Sequence, residues 1–162
     1  MTAAVGYIFK GMFKEHAKNA FWFATIATAP GLILHELAHK FVAIGFGLVA
    51  TFHAHYTFLA IGLLLKLIHF DFIFFIPGYV SIQGSASDLA SALTAVAGPL
   101  FNLILFVVSW VLLKQKKLMT RTFLLLQATK QINLFLFIFN MLPIPGLTDG
   151  WKFYEGLFKL FF

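Results

Sequence analysis

The side chains best placed to do chemistry together lie in one pentapeptide, His35-Glu36-Leu37-Ala38-His39. Residues four apart on a helix share one face, so both imidazoles can reach one metal ion while Glu36 lies beside them. A HExxH pair of this kind usually holds zinc, and its glutamate usually acts as general base toward a water on the metal. The pentapeptide therefore predicts a hydrolytic centre with one Zn²⁺ per chain.

The composition places this pentapeptide in a membrane. Of the 162 residues, 60% are hydrophobic, 18% are aromatic and only 11% are charged, and the mean hydropathy is +0.90. Soluble domains carry about 25% charged residues, so most of this surface is expected to face lipid rather than water. The length fits one domain. We therefore expect a single membrane-embedded domain in a multi-pass integral protein of the cell membrane.

The charges and the absence of cysteine exclude other classes of protein. The formal net charge of +6 comes from scattered lysines and not from a basic tract. Such lysines are better explained as anchors near anionic lipid headgroups than as a nucleic-acid surface. The chain has no cysteine, which excludes disulfides, thiolate ligands and a thiol nucleophile. The expected surroundings are the lipid bilayer, with no nucleic-acid partner, and the oligomeric state stays open.

Hydrophobic runs divide the chain into six segments. Runs of about 20 apolar residues can cross a bilayer core of about 30 Å, and lysines or aromatic residues along one face are typical of interfacial helices. The predicted fold is membrane α-helical, with three core transmembrane helices, a membrane-associated β-rich insert between the first and the second, and interfacial amphipathic helices at both ends. In chain order the segments are an interfacial helix (1–19), a transmembrane helix (20–44), a strand, short helix and strand (45–84), two transmembrane helices (89–113 and 122–142), and a ligand segment with an interfacial helix (143–162).

The middle segment can be interpreted in two ways. Residues 48–56 and 70–84 have the β-branched and aromatic composition of strands, and the run between them is too short to span a membrane. The alternative is a fourth span over 57–80, which we disfavour because it would place the start of the next helix on the wrong side of the membrane. His53 and His55 would share one strand face. We favour a strand face near the site's mouth over a second metal pair there.

The third ligand must come from outside the pentapeptide, since a catalytic zinc site needs three protein ligands and one open position. Asp149 is the favoured candidate, because it follows a stretch broken by Pro143 and Pro145 at the end of a span, and Gly150 frees the backbone after it. Irregular backbone is tolerated at membrane depth only where it lines a cavity or is buried in protein. The other candidate ligands are Glu15, His16, Asp71, Asp88 and Glu155.

Three motifs resemble those of one enzyme family. HELAH lies in the first core span, AGPLFN in the next and NMLPIPGLTDG after the third. In this order they resemble the site-2 protease family of intramembrane zinc metalloproteases, and the similarity covers roughly residues 20–155. The family usually has its aspartate directly after the leucine. Here Thr148 separates them, so the spacing from Asn140 to Asp149 is one residue longer than usual, which a bulge could absorb.

The resemblance implies roles for the site residues. The implied zinc ligands are His35, His39 and Asp149, with Glu36 as the general base. By the same matching, Asn140 and Asn102 would position the substrate or stabilise the oxyanion. For Asn102 taken alone, an interhelical hydrogen bond in its apolar run is an equally good interpretation.

Together these expectations define a reaction and a rival. The sequence predicts a zinc-dependent intramembrane endopeptidase that hydrolyses peptide bonds in or near transmembrane segments of membrane-protein substrates, as in regulated intramembrane proteolysis. The substrate would unwind locally and add as a strand to an edge of the insert. The rival is a non-catalytic metal-binding membrane protein, such as a metal transporter or an inactive protease-like scaffold, in which Glu36 is dispensable. The membrane orientation stays open, because the lysine distribution and the family's usual orientation disagree.

Overall fold

A computed structural model describes residue 7, residues 19–68 and residues 78–162, apart from the side chains of Phe58 and Lys66. Most of the helix predicted for 1–19, and the first part of the strand predicted for 70–84, lie outside these residues. The described part is mostly helical. Its elements in chain order are α1 (Ala20–Gly45), β1 (Val49–Ala54), α2 (Tyr56–Leu67), β2 (Gly78–Gln83), α3 (Asp88–Leu112), α4 (Thr120–Asn140) and α5 (Asp149–Phe161).

Three helices of the described chain are long and apolar enough to cross a membrane. Helices α1, α3 and α4 have 26, 25 and 21 residues, which at 1.5 Å per residue is about 39, 37 and 31 Å. A bilayer core needs a helix of about 20 residues. Helix α2 has only 12 residues, about 18 Å, and cannot span. The prediction of a helical protein with three candidate spans is confirmed.

Small residues fill the contacts among the spanning helices, and large apolar side chains point outward. The buried apolar residues are mostly alanines, such as Ala24 and Ala27 of α1 and Ala128 of α4, whereas Phe41 and Val108 are 64% and 48% exposed. In lipid, burying a large apolar side chain brings no gain over leaving it in the acyl chains, so helices associate through close packing of small residues. This distribution is that of a membrane protein.

Helix α3 is the centre of the arrangement, because α1, α4 and α5 all pack against it. Its first turn is capped by Ser87, whose Oγ accepts a hydrogen bond of 3.2 Å from the Ala90 main-chain nitrogen. Helix α5 returns to this end of α3 at Gly156, where a Cβ would lie 3.0 Å from the main-chain oxygen of Asp88. The close approach holds the middle of α5 beside the start of α3.

Strands β1 and β2 form an antiparallel pair between the first two candidate spans. Val49 pairs with Gln83 at one end and Ala54 with Gly78 at the other, and both strands pack against α1. Because β2 already begins at Gly78, residues 57–80 do not form one continuous helix. The last three residues of the alternative span over 57–80 therefore lie in a strand, and residues 69–77 of it lie outside the described residues.

Candidate metal centre

Three potential ligand atoms converge where α1 meets the start of α5. Nε2 of His35 lies 3.1 Å from Nε2 of His39, and Oδ2 of Asp149 lies 3.1 and 3.3 Å from these two nitrogens. Both imidazoles are buried and Asp149 is half-buried. Within the part of the chain that the structure describes, this is the only group of three or more such side chains that could hold a metal ion.

The size of this triangle fits zinc. A tetrahedral zinc ion with ligand distances of about 2.0–2.1 Å holds its ligand atoms about 3.3 Å apart. The three separations here are 3.1, 3.1 and 3.3 Å. Two imidazole nitrogens and one carboxylate oxygen are also a donor set that catalytic zinc sites use, with the fourth position open.

The hydrogen bond on the side of each imidazole that faces away from the centre determines which ring nitrogen faces the centre. Nδ1 of His39 donates to the main-chain oxygen of Thr94 at 2.7 Å, since a carbonyl oxygen can only accept. Nδ1 of His35 lies 2.6 Å from Oδ1 of Asn102 and donates to it likewise. Neutral imidazoles therefore turn unprotonated Nε2 atoms toward each other and toward the Asp149 carboxylate. Three acceptors this close repel one another unless a cation lies among them, which is the chemical reason that the site fits a metal ion.

The orientation of the Asn102 amide follows from its other contacts. Nδ2 of Asn102 donates to the main-chain oxygen of Gly31 at 3.0 Å and to Oδ1 of Asn133 at 2.8 Å. Both partners are acceptors, so the amide nitrogen must face them and the amide oxygen must face His35. Asn102 is 0% exposed, and an amide buried in this way needs all these partners. It lies behind His35, on the side away from Asp149.

Two stripes of residues spaced by four bring these groups together. On α1 the stripe is Gly31, His35 and His39, and on α3 it is Thr94, Gly98 and Asn102. Residues four apart lie above one another on a helix face, and the helices run in opposite directions, so His39 meets Thr94 and His35 meets Asn102. At the crossing, a Cβ on Gly98 would lie 2.7 Å from Nε2 of His35. Only glycine leaves room for the two rings.

The loop before Asp149 is held by hydrogen bonds of Thr148, the residue that separates Leu147 from Asp149. Oγ1 of Thr148 donates to the main-chain oxygen of Leu142 and accepts from the main-chain nitrogen of Ile144 at 3.1 Å. Gly146 turns the chain between them with a φ of 70°. The buried Thr148 therefore holds this loop together through its hydrogen bonds. Asp149, the first residue of α5, lies within reach of both imidazoles.

Gly150 has a different role from the one predicted. It lies inside α5 and is not among the described glycines with positive φ, so the backbone freedom of glycine is not what this position needs. A Cβ on Gly150 would lie 2.5 Å from the main-chain oxygen of Met141. The glycine instead allows the start of α5 to approach the end of α4 closely, which brings Asp149 toward α1.

The environment keeps the Asp149 carboxyl ionised. Burial by itself raises its pKa, but protons on the facing nitrogens of His35 and His39, which take the place of the cation in the metal-free site, lower the pKa by more, and the net result is a pKa well below the ordinary value for aspartate. An anionic oxygen beside the two Nε2 atoms attracts a cation.

A cavity of about 770 Å³ opens from this centre, and the predicted general base lies on its wall. Glu36 and Asn140 both line it, and both are half-buried. Within the described residues neither side chain forms a hydrogen bond, so their polar atoms are available to a bound molecule. Asn102 is not among the residues that line the cavity, since it lies behind His35.

The other candidate ligands do not join the centre. His53 donates or accepts a 3.0 Å hydrogen bond with Oγ of Ser81 and stacks on Tyr79, whose ring also contacts His55. These two histidines belong to no group of three metal-ligating side chains in the described chain. Asp88 and Glu155 line the cavity without joining the triangle. Three further candidates lie outside the described residues: Glu15, His16 and Asp71.

Sequence reasoning missed three residues of the centre: Thr94, Gly98 and Asn133. Gly98 had a usable signal, because it lies four residues before Asn102, which is the spacing of the two histidines on α1. Thr94 had none, since it contributes only a main-chain oxygen. Asn133 had no comparable signal. Its role depends on how α4 packs against α1 and α3.

Comparison with known proteins assigns the chain to a family. The chain is 36% identical over 150 residues to a protein of Methanocaldococcus jannaschii named "Putative zinc metalloprotease MJ0611", and the match covers 92% of this chain and 76% of the relative. The chain belongs to the family of this zinc metalloprotease. No family model matches the chain, and no solved structure matches it.

Membership in this zinc metalloprotease family agrees with the geometry. The prediction of zinc as cofactor is confirmed by the name of the relative together with the cluster of His35, His39 and Asp149, which could bind a metal ion. The prediction of a metalloprotease is supported in the same way.

Proposed function

We propose that this metalloprotease is an intramembrane endopeptidase of the site-2 protease type, which cleaves membrane-protein substrates in or near their transmembrane segments. The observation that carries the proposal is the position of the two histidines of the centre inside the candidate span α1. His35 and His39 precede the end of α1 at Gly45 by ten and six residues, which is about 15 and 9 Å along the helix axis. A peptide bond that reaches them must enter the depth of the bilayer.

The ligand roles follow from the triangle. His35, His39 and Asp149 would hold the ion, and when bound, zinc supplies Lewis-acid activation of the attacking water and the substrate carbonyl. The remaining groups of the site do the proton chemistry and the positioning. Glu36, on the wall of the cavity beside the two histidines, accepts a proton from the attacking water and returns it to the leaving amine.

Two asparagines take different roles in this proposal. Asn140 lines the cavity with no hydrogen bond from its side chain within the described residues, so its amide can donate to the oxyanion that develops on the substrate. Asn102 is buried behind His35 and donates to no group in the cavity. We assign Asn102 to holding the tautomer and ring orientation of His35, as hydrogen-bonded partners of metal-bound histidines do.

The strand pair is the proposed docking element for the substrate. A helical substrate hides its carbonyls in hydrogen bonds and must unwind before it can be cut, and an unwound segment can add as a strand to an exposed sheet edge. Tyr79, Val80 and Ile82 of β2 line the same cavity as Glu36. A substrate strand added to this pair would therefore lie beside the centre.

The surroundings are proposed from the same features. The pair β1–β2 would be a membrane-associated insert between spans α1 and α3. Helix α5 exposes Trp151 and Tyr154 by 40% and 42%, and such residues are enriched at membrane interfaces, so α5 would lie at the interface, as would the helix predicted for 1–19. The whole chain would form one multi-pass domain of the cell membrane, with the bilayer and a transmembrane substrate as its partners.

A reconstituted cleavage assay tests the proposal. The full chain with zinc is placed in lipid vesicles with a panel of single-span substrate proteins, and the cut bonds are located by mass spectrometry. We expect cuts in or next to the spans and none in a soluble protein such as casein. Cuts confined to soluble regions would contradict intramembrane cleavage. A chain that binds zinc but cuts nothing in the panel would favour the non-catalytic metal-binding protein.

A further inference from the structure

A chain of buried amides connects α4 to the metal centre. Nδ2 of Asn133 donates to the main-chain oxygen of Thr129 at 2.8 Å. Oδ1 of Asn133 accepts from Nδ2 of Asn102 at 2.8 Å, and Oδ1 of Asn102 accepts from Nδ1 of His35 at 2.6 Å. Both asparagines are 0% exposed. The chain crosses three helices and ends on the imidazole whose other nitrogen faces Asp149.

The direction of this chain is fixed at its α4 end. The oxygen of Thr129 can only accept, so the amide nitrogen of Asn133 must face it and the amide oxygen must face Asn102. If the Asn133 amide were turned over, its oxygen would face the Thr129 oxygen, and its NH₂ group would face the NH₂ group of Asn102. Both contacts would be repulsive. The main-chain oxygen of Gly31 also accepts from Nδ2 of Asn102, so it favours the same orientation of the Asn102 amide.

The packing around Asn133 keeps the amide in place. A Cβ on Gly31 would lie 2.7 Å from Oδ1 of Asn133, so the amide lies directly against the backbone of α1. A buried amide with this little free space has one orientation that satisfies its hydrogen bonds.

We propose that Asn133 is a positioning residue of the metal centre. It acts through Asn102, since the Asn133 oxygen holds the Asn102 amide in the orientation that accepts the Nδ1 proton of His35 and leaves Nε2 of His35 free for the ion. The inference rests on the proposed zinc site, and it adds α4 to the two elements that supply the ligands. Asn133 touches neither the ion's position nor the cavity.

The test compares three variants of the full chain purified in detergent: Asn133→Leu, Asn133→Asp and Ala128→Val. Leucine has the branched shape of asparagine without its hydrogen bonds. Aspartate at this buried position is a neutral acid, which keeps one oxygen to accept from Asn102 and a hydroxyl to donate to the Thr129 oxygen. Ala128→Val is the matched control, because Ala128 is buried between α4 and α1 against Phe23 and Ala27 and takes no part in the amide chain. Zinc affinity is measured by competition with a chelator, and the site geometry by the visible absorption of the Co²⁺-substituted protein.

The expected results separate positioning from simple structural damage. Asn133→Leu should weaken zinc binding about 3- to 10-fold, the effect expected for one lost hydrogen bond, and should change the Co²⁺ spectrum. Asn133→Asp should keep the wild-type spectrum, and Ala128→Val should lower thermal stability without changing zinc affinity or spectrum. If the leucine variant does not fold, Asn133→Ala takes its place in the same measurements.

Two results would overturn the inference. One is a zinc affinity and Co²⁺ spectrum in Asn133→Leu that match those of Ala128→Val. The other is an equal loss in Asn133→Leu and Asn133→Asp, which would show that an oxygen accepting from Asn102 at this position does not hold the centre in place. Neither result affects the proposed function, whose failure has its own signature: a wild-type protein that binds no zinc or cuts no membrane substrate.

Discussion

Replacing Gly98 by alanine should disable the metal centre while the protein still folds. The added Cβ would lie 2.7 Å from Nε2 of His35, whereas ordinary van der Waals contact begins at 3.4 Å, so the ring must move by about 0.7 Å. The Nε2 atom of His39 would be displaced as well. Zinc sites hold their ligand distances within about 0.2 Å, so the two ligands can no longer meet the ion together.

The expected loss in zinc affinity exceeds the loss caused by removing a side chain that is hydrogen-bonded to a zinc ligand. Removing a hydrogen-bonded partner of a zinc ligand costs about 10- to 100-fold in affinity, and here both histidine ligands are displaced, so we expect a loss of about 100-fold or more. The fold should survive, because the displaced atoms are the ends of side chains. Alanine also favours a helix by about 1 kcal/mol over glycine.

The assay pairs chelator competition for zinc with thermal unfolding of the zinc-free protein in detergent. Gly45→Ala is the matched control, since a Cβ there has no neighbouring atom within 4 Å and Gly45 also lies in a helix. Wild-type zinc affinity in Gly98→Ala would refute the reasoning. So would a loss of affinity that Gly45→Ala shares.

Three further predictions follow from the ligand loop and the ion. Thr148→Val removes the hydrogen bonds of Oγ1 with the Leu142 oxygen and the Ile144 nitrogen, which keep only their 3.0 Å hydrogen bond to each other, and should destabilise the protein by about 1–3 kcal/mol. Thr148→Ser should stay close to wild type. Thermal unfolding in detergent compares the two variants, and equal unfolding temperatures would contradict the assigned hydrogen bonds. Asp149→Ala should lose both the binding of one zinc per chain and cleavage, which metal analysis and a peptidase assay measure. Retention of both would show that the third ligand is another residue. Zinc at 1,000 times its Kd should stabilise the wild type against unfolding by about 4 kcal/mol relative to the chelator-treated protein. An unfolding temperature that does not change when the chelator is added would contradict a site in which the acceptors of His35, His39 and Asp149 need a cation.

The sequence was sufficient to predict those parts of the centre that depend only on the local spacing of residues. The HExxH spacing places both imidazoles on one face of any helix, and long apolar runs predict spans regardless of how they pack. The third candidate ligand could also be proposed from the sequence, because Asp149 follows a stretch that prolines keep from being helical. The structure places all three ligand atoms within 3.3 Å of one another.

The supporting contacts could not be predicted, because they depend on how helices cross. Thr94 contributes a main-chain oxygen, which any residue type carries, so its side chain gives no signal. Asn133 reaches the centre only because α4 packs beside α1 and α3. Gly150 was assigned backbone freedom, yet it is needed for its lack of a side chain against Met141. A close approach between elements distant in sequence leaves no local pattern.

The paired measurement of zinc content and cleavage in Glu36→Gln tests the central claim most directly. Glutamine keeps the size of the side chain and removes the proton acceptor, and Glu36 is not among the three ligand side chains. We predict one zinc per chain, as in wild type, and a cleavage rate lower by about 10²- to 10⁴-fold, the contribution of general acid–base catalysis. Cleavage at the wild-type rate by a zinc-loaded Glu36→Gln protein would contradict the account.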